Sequence, residues 1–251
     1  MNDPTSFMTT SRPQLFGMLA GLFLAVSLCF TALIVAGAWT RISVSQVINV
    51  TGSAHKDVRS DLAIWHASFA TEAPTLLGAH QQLKSDAAKV EIFLHAANQN
   101  NFVFKPVQVS AVTERVKTSE GEITRQVGYR TTQALEVRST DVETLPKLAG
   151  DSAQLIEQGV SISSDDIDFI YTKAGEAKVE MMAEATKDAR SRAEQIAGQG
   201  GRTIKELRTA RVGIVQINPL YSSATSSEGN NDTSSLEKTI TTTVTATFSL
   251  K

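Results

Sequence analysis

Ile240-Thr241-Thr242-Thr243-Val244-Thr245-Ala246-Thr247-Phe248-Ser249-Leu250 changes character at every second residue. Ile240, Thr242, Val244, Ala246, Phe248 and Leu250 alternate with Thr241, Thr243, Thr245, Thr247 and Ser249. Successive side chains of a strand point to opposite faces, so a β-branched run of period two is a strand with one dry face and one wet one. Its counterpart is Ala174 to Ala197, where Ala177, Met181, Ala185, Ala189, Ala193 and Ile196 recur at helical spacing. Glu180, Glu184, Lys187 and Arg190 fall opposite, and Asp188 and Arg192 are spaced to pair. That pattern buries a narrow face of a helix and solvates the rest. Gly198, Gly200 and Gly201 end it.

Working outward, the same two periods recur. Val47 to Gly52 reads as a strand closing on a glycine. Leu62 to Thr71 sets Leu62, Ile64, His66 and Ser68 on one face and Ala63, Trp65, Ala67 and Phe69 on the other. Pro74 opens a helix carrying Leu76, Leu77, His80, Leu83, Ala87, Val90 and Leu94, which ends at Asn98-Gln99-Asn100-Asn101. Val103 to Lys117 and Glu122 to Arg138 are predicted strands of a hairpin turning at Thr118-Ser119-Glu120-Gly121. Asp141 caps a predicted helix to Glu157 with Gly159 as its stop. Ile167 to Thr172 and Thr203 to Ile217 complete the strands. Ser222 to Ser235 is too polar to pack and is expected to be a mobile loop, 222–235. One-sided helices and alternating strands specify an α+β domain over 46–251, an antiparallel sheet covered by helices.

Ahead of that domain, no charged side chain lies between Arg12 and Arg41, and Leu15 to Trp39 is almost wholly apolar. About 20 such residues in a helix cross a hydrocarbon core of about 30 Å. Residues 13–40 are therefore expected to form a transmembrane signal-anchor after a short tail, 1–12. Ala36-Gly37-Ala38 offers a cleavage site, and cleavage after Ala38 would release the domain. The apolar run is longer than a signal peptide's usual 7–15 residues, which favours retention. Leu28 before Cys29 argues against lipidation. The expected location is the inner membrane, single-pass, with the C-terminal domain in the periplasm. Gly17, Gly21 and Ala25 lie at every fourth position, a spacing that lets helices approach closely in lipid.

Four stretches of the domain resemble the SIMPL-domain family of bacterial envelope proteins, which also includes a kinase-associated protein of animals. Ile48 to Ala54 is similar to its opening V-x-G-x-G strand, with Gly52 in place and Ala54 for the second glycine. Gly128-Tyr129-Arg130-Thr131-Thr132-Gln133 is similar to its G-Y-x-A-x-Q. Ala183 to Glu194, with Asp188, Ala189 and Arg190, resembles its A-x-x-D-A-R-x-K-A-E helix, and the threonine-rich strand closes the chain. The resemblance implies an α+β domain outside the cytoplasm, in some members assembled into rings, linked to oxidative-stress tolerance and without catalytic residues to carry over.

Chemistry is sparse elsewhere in the 251 residues. A formal net charge of -2, with charges well mixed, gives no footing for nucleic acid. The lone Cys29 precludes a disulfide within the chain. His55, His66, His80 and His95 lack metal-ligand spacing, so no metal or other cofactor is expected. Asp165, Asp166 and Asp168 could resemble an acidic site, but Ser163-Ser164-Asp165-Asp166 is expected to form a turn into a strand. No phosphate loop or nucleophile elbow is present. Asn49-Val50-Thr51 and Asn231-Asp232-Thr233 match the glycosylation sequon, which matters only in a eukaryotic secretory route. The leading expectation is a non-enzymatic, membrane-anchored envelope protein that forms homo-oligomers and serves as a scaffold or binding module, with a role in stress tolerance. The alternatives are an envelope hydrolase using Asp165 to Asp168, or a module protecting clients or ligands.

Overall fold

A computed structural model of the chain describes residues 13–43, 46–118 and 121–251. The expected tail 1–12, with Arg12, and the hairpin residues Ser119 and Glu120 lie outside the described residues. The elements run α1 (Pro13–Ser43), β1 (Val47–Arg59), β2 (Leu62–Ala73), α2 (Leu76–Ala96), β3 (Phe102–Phe104), β4 (Gln108–Thr118), β5 (Gly121–Ser139), α3 (Thr144–Asp151), α4 (Gln154–Glu157), β6 (Ile162–Ile170), α5 (Ala174–Gln199), β7 (Ile204–Val212), β8 (Gln216–Pro219) and β9 (Glu237–Leu250). The fold is α+β, as the sequence predicts, with two sheets. One is ordered β1-β9-β7, with β8 also on β9; the other is ordered β3-β5-β2-β6, with β4 also on β5.

The chain forms two compact units. The smaller takes the N-terminal residues through Asn49 with Ala193–Thr209 and Thr247–Lys251; the larger takes Val50–Arg192 and Ala210–Ala246. In the smaller unit Lys251 and Thr203 exchange backbone hydrogen bonds of 2.8 and 3.2 Å, and the Leu250 N–H donates to Gln46 O at 2.9 Å. α1 also belongs to it. The 23 residues of Gly17–Trp39 suffice by length and composition to cross a membrane, and none of that span is buried. At 1.5 Å per residue they make a helix of about 34 Å. A signal sequence has the same features.

The larger unit holds both apolar cores. On the second sheet Ala63, Trp65, Ala67 and Phe69 are buried, one of the two faces that the alternation of β2 separates. They pack with Leu83, Val90 and Leu94 of α2, Leu135 and Val137 of β5, and Leu145 and Leu148 of α3. The Trp65 indole N–H donates to the Ser164 hydroxyl at 2.9 Å, so its polar edge is satisfied. On the first sheet Ala54, Val58, Ile217, Ile240 and Val244 meet Ala177, Met181 and Ala185 of α5.

Several expected boundaries move for identifiable reasons. The strand predicted from Val103 divides into β3 and β4 at Lys105-Pro106-Val107, because proline has no N–H to give a ladder. The strand predicted over Thr203 to Ile217 divides into β7 and β8 around Gly213. The α2 cap is Thr75, one residue past Pro74, and its hydroxyl accepts from the Gly78 N–H. Leu76 and Leu77, read as part of the apolar stripe, are exposed, while Ala79 and Asp86 are buried on α2's inner face. Asp141 accepts from the Thr144 N–H and hydroxyl, but the residue preceding α3 is Glu143, whose side chain makes no cap bond, and the predicted helix is two short ones, α3 and α4. Ser163 to Asp166 lie within β6, not in a turn. Along α5 the buried stripe ends at Ala197, with Ile196 exposed. Rows of residues four apart are inclined to a helix axis, so a buried row can keep that spacing and wind slowly around the helix.

The polar run at 222–235, predicted mobile for want of apolar anchors, is held by polar ones. Gln216 donates to Ser226 O and accepts from the Asn230 N–H, both at 2.8 Å, and Asn218 donates to Ala224 O at 2.7 Å. Lys238, 1% exposed, donates to Asp232 O at 2.7 Å and to its carboxylate at 3.1 Å. Burial pushes the Asp232 carboxyl up, but hydrogen bonds from Ser234, Lys238 and Ser235 outweigh it and hold the group at about 2, below the ordinary 3.8. A depressed folded value stabilises the fold above the unfolded value and loses that contribution as pH falls through the folded one. The difference from 3.8 to about 2 corresponds to about 2 kcal/mol. In urea titrations from pH 5 to pH 2, unaltered protein is expected to lose that amount more than Asp232→Asn does. Equal pH slopes would show that the bond contributes nothing. At neutral pH Asp232→Ala leaves the buried Lys238 without its carboxylate, an expected cost of about 3 kcal/mol.

Candidate functional site

Three of the family-like residues, Gly52, Asp188 and Ala189, meet at one place in the larger unit, where β1 approaches α5. A Cβ on Gly52 would stand 2.2 Å from Ala185 O and 2.3 Å from Ala189 N. Only a residue with no side chain lets strand and helix backbones come this close. Beside it the Ser53 N–H donates to an Asp188 carboxylate oxygen at 2.8 Å. The same oxygen meets Arg192 Nε at 2.8 Å, one turn along the helix. The Ser53 backbone bond, then the Arg192 guanidinium, holds the Asp188 carboxyl below the ordinary carboxylate range. Gly52, Asp188 and Ala189 are thus one contact. Arg190 is exposed on the same helix.

Next to this contact lies an open groove of about 410 Å³ between Ser53, Ala54 and His55 of β1 and Met181, Glu184, Lys187, Asp188 and Ser191 of α5. Buried Ala54 and Met181 give it an apolar floor. Lys187 and Glu184 pair loosely at 3.8 Å on its wall. Lys56 binds Glu180 a little farther along the same two elements. Lys56, Glu180, Glu184, Lys187 and Asp188 each have an opposite partner.

Gly128 and Tyr129 stand elsewhere in the larger unit. A Cβ on Gly128 would lie 2.7 Å from Ala73 O, at the point where β2 ends beside β5. The β4–β5 register shifts there, with Val112 opposite Gly128 and Thr113 opposite Gln126, so Val127 is a bulge. Tyr129 pairs with Ala73 in the sheet. Two places along, Thr131 and Thr71 both donate to Ala79 O of α2, tying helix to sheet inside the core. These are folding roles.

The other candidates stay apart. Asp165 and Asp166 are exposed, where the β2–β6 register shifts opposite His66. Asp168 pairs with His66 at 3.3 Å. His95 Nδ1 contacts the Asn100 side-chain oxygen Oδ1 at 2.8 Å, and the ring packs edge-on to Phe102. Among the described residues, no group of three His, Cys, Asp or Glu side chains could hold a metal ion. Gly17, Gly21 and Ala25 lie exposed on α1, with open space around the two glycines. The groove itself escaped the sequence reading, since the edge-strand residues Ser53 and His55 carry no motif of their own.

The model of the SIMPL family, described as a protein of unknown function (DUF541), matches residues 48–248. Comparison with curated proteins finds no match. Because the atoms facing Gly52 are helix backbone and have nowhere to go, Gly52→Ala is expected to cost about 3 kcal/mol and to lower the melting temperature by on the order of 10 °C. Gly52→Ala melting within 2 °C of the unaltered protein, a margin of about 1 kcal/mol, would exclude the close approach.

Proposed function

The chain belongs to the SIMPL family, and from that premise we propose that it is a non-enzymatic, membrane-anchored envelope protein that self-associates and presents a scaffold or binding surface, with a role in stress tolerance. The observation that carries self-association is the outer part of the β4–β5 hairpin. β2 pairs with β5 only from Tyr129 onward, so beyond Gly128 the strands form a two-stranded ribbon with no third strand. Such a ribbon is at best marginal alone in water. It nevertheless carries Val116 opposite Ile123, both exposed, and the exposed bulge residue Val127. At its base an apolar groove of about 550 Å³ opens between Leu76 and Leu77 of α2 and Val109 of β4. Unpaired edges and exposed apolar side chains favour pairing with another chain.

The apolar α1 supports a retained anchor in the inner membrane, with the domain on its outer side by analogy with signal anchors. Asp165 and Asp166 are exposed on β6 and Asp168 lies beside His66, an arrangement that speaks against a hydrolase built on them. Light scattering on full-length protein in detergent is expected to give a protein mass of at least two chains. Val116→Lys with Ile123→Lys is expected to shift it toward one chain with little change in melting temperature. A strict monomer before substitution defeats the reading. For orientation, alkaline phosphatase fused after Lys251 is expected to be active in intact cells; activity only of a cytoplasmic reporter reverses the placement.

A further inference from the structure

β1 is an edge strand whose outer side runs along α5. Its hydrogen-bonding sides can be assigned. The Ser60 N–H donates inward to Leu236 O, continuing toward β9, whereas the Ser53 N–H donates outward to Asp188. Successive residues of a strand bond to alternate sides, so the N–H and C=O groups of Ser53, His55 and Asp57 all point away from β9. Among the described residues no further strand lies on that side.

Asp188 takes the Ser53 N–H. The outward carbonyls of Ser53 and His55 and the outward N–H groups of His55 and Asp57 remain as a template. Beside them sits the 410 Å³ groove. Lys56 with Glu180 marks one end and Asp188 with Arg192 the other. That length is about 10 Å along the strand, at about 3.3 Å per residue, and about 12 Å along the helix.

The geometry points to a strand-addition site: an extended peptide segment pairs with the outer edge of β1 from Ser53 to Asp57 and sets one aliphatic side chain between β1 and α5, over Ala54 and Met181. An edge strand facing a helix across a groove binds extended peptides in this way, main-chain bonds supplying affinity and the groove reading alternate side chains. The segment that fits alternates apolar and polar residues. It is uncharged over its central residues, because the groove's ion pairs compensate one another. This deepens the binding-module part of the proposed function. It does not depend on self-association through the ribbon, and the two are read by different measurements.

The test uses full-length protein in detergent and the fluorescein-labelled peptide Lys-Val-Thr-Val-Thr-Val-Thr-Lys. Anisotropy is expected to rise on binding, and the same peptide with prolines in place of threonines is expected not to bind. In the unaltered protein, hydrogen exchange at the His55 and Asp57 amides is expected to slow about tenfold with peptide bound. His55→Pro removes one outward N–H at a position where an edge strand tolerates proline, and is expected to weaken binding about tenfold with the melting temperature little changed. If His55→Pro does not fold, amide protection in the unaltered protein decides alone. Absence of binding overturns the proposal, and so does binding whose protection falls on residues 113–127 or spares His55 and Asp57.

Discussion

At Gly52 the backbone of a strand rests on the backbone of a helix. Most strand–helix contacts are cushioned by side chains, yet here even a methyl group would overlap Ala185 O and Ala189 N. The alanines along α5 follow from that constraint, since a helix lying this low over a sheet leaves room for little else at Ala177, Ala185 and Ala189. The Asp188 bond to Ser53 follows too. With the backbones so close, a carboxylate one turn from Ala185 reaches the strand's outward N–H directly. Glycine, alanine row and aspartate are three expressions of one distance.

The second sheet is governed by larger residues and a different device. Trp65, Phe69 and the leucines of α2 and α3 fill its core, and Thr71 and Thr131 fasten α2 through a single carbonyl, Ala79 O. Gly128 is again the place where a side chain would meet backbone, and the order of the sheet changes there. On one side β5 is a buried central strand; on the other it is half of an exposed ribbon. The proposed self-association and peptide binding rest on that ribbon and on the groove beside the open edge of β1.

Much of this was legible from residue patterns. Period two separated the two faces of β2 and marked the apolar face of β9 that is buried from Ile240 to Phe248, and spacing of four located α5 and all but the last residue of its stripe. The α+β class followed from those alone. Resemblance drew Gly52 and Asp188 out as separate motifs, but periodicity is a one-dimensional signal and could not show that they touch. Likewise it could not see that Pro106 and Gly213 interrupt strands, that Leu77 faces outward, or that the polar run after Tyr221 is fastened by Gln216, Asn218 and Lys238. Polar anchoring of this kind depends on which side chains meet in space. The groove was invisible for the same reason, being formed by an edge and a helix 124 to 138 residues apart in sequence, from Lys56–Glu180 to Ser53–Ser191.

The approach of β1 to α5 can be read through one nucleus. The Ser53 amide shift, followed by NMR across acid pH in isotopically labelled full-length protein, reports the Asp188 carboxylate that accepts its proton. The account requires that shift to titrate with a midpoint below the ordinary carboxylate value of 3.8, and to lose the step in Asp188→Asn. A Ser53 amide that does not titrate, or that titrates at or above that value, would mean that strand and helix do not meet at Gly52.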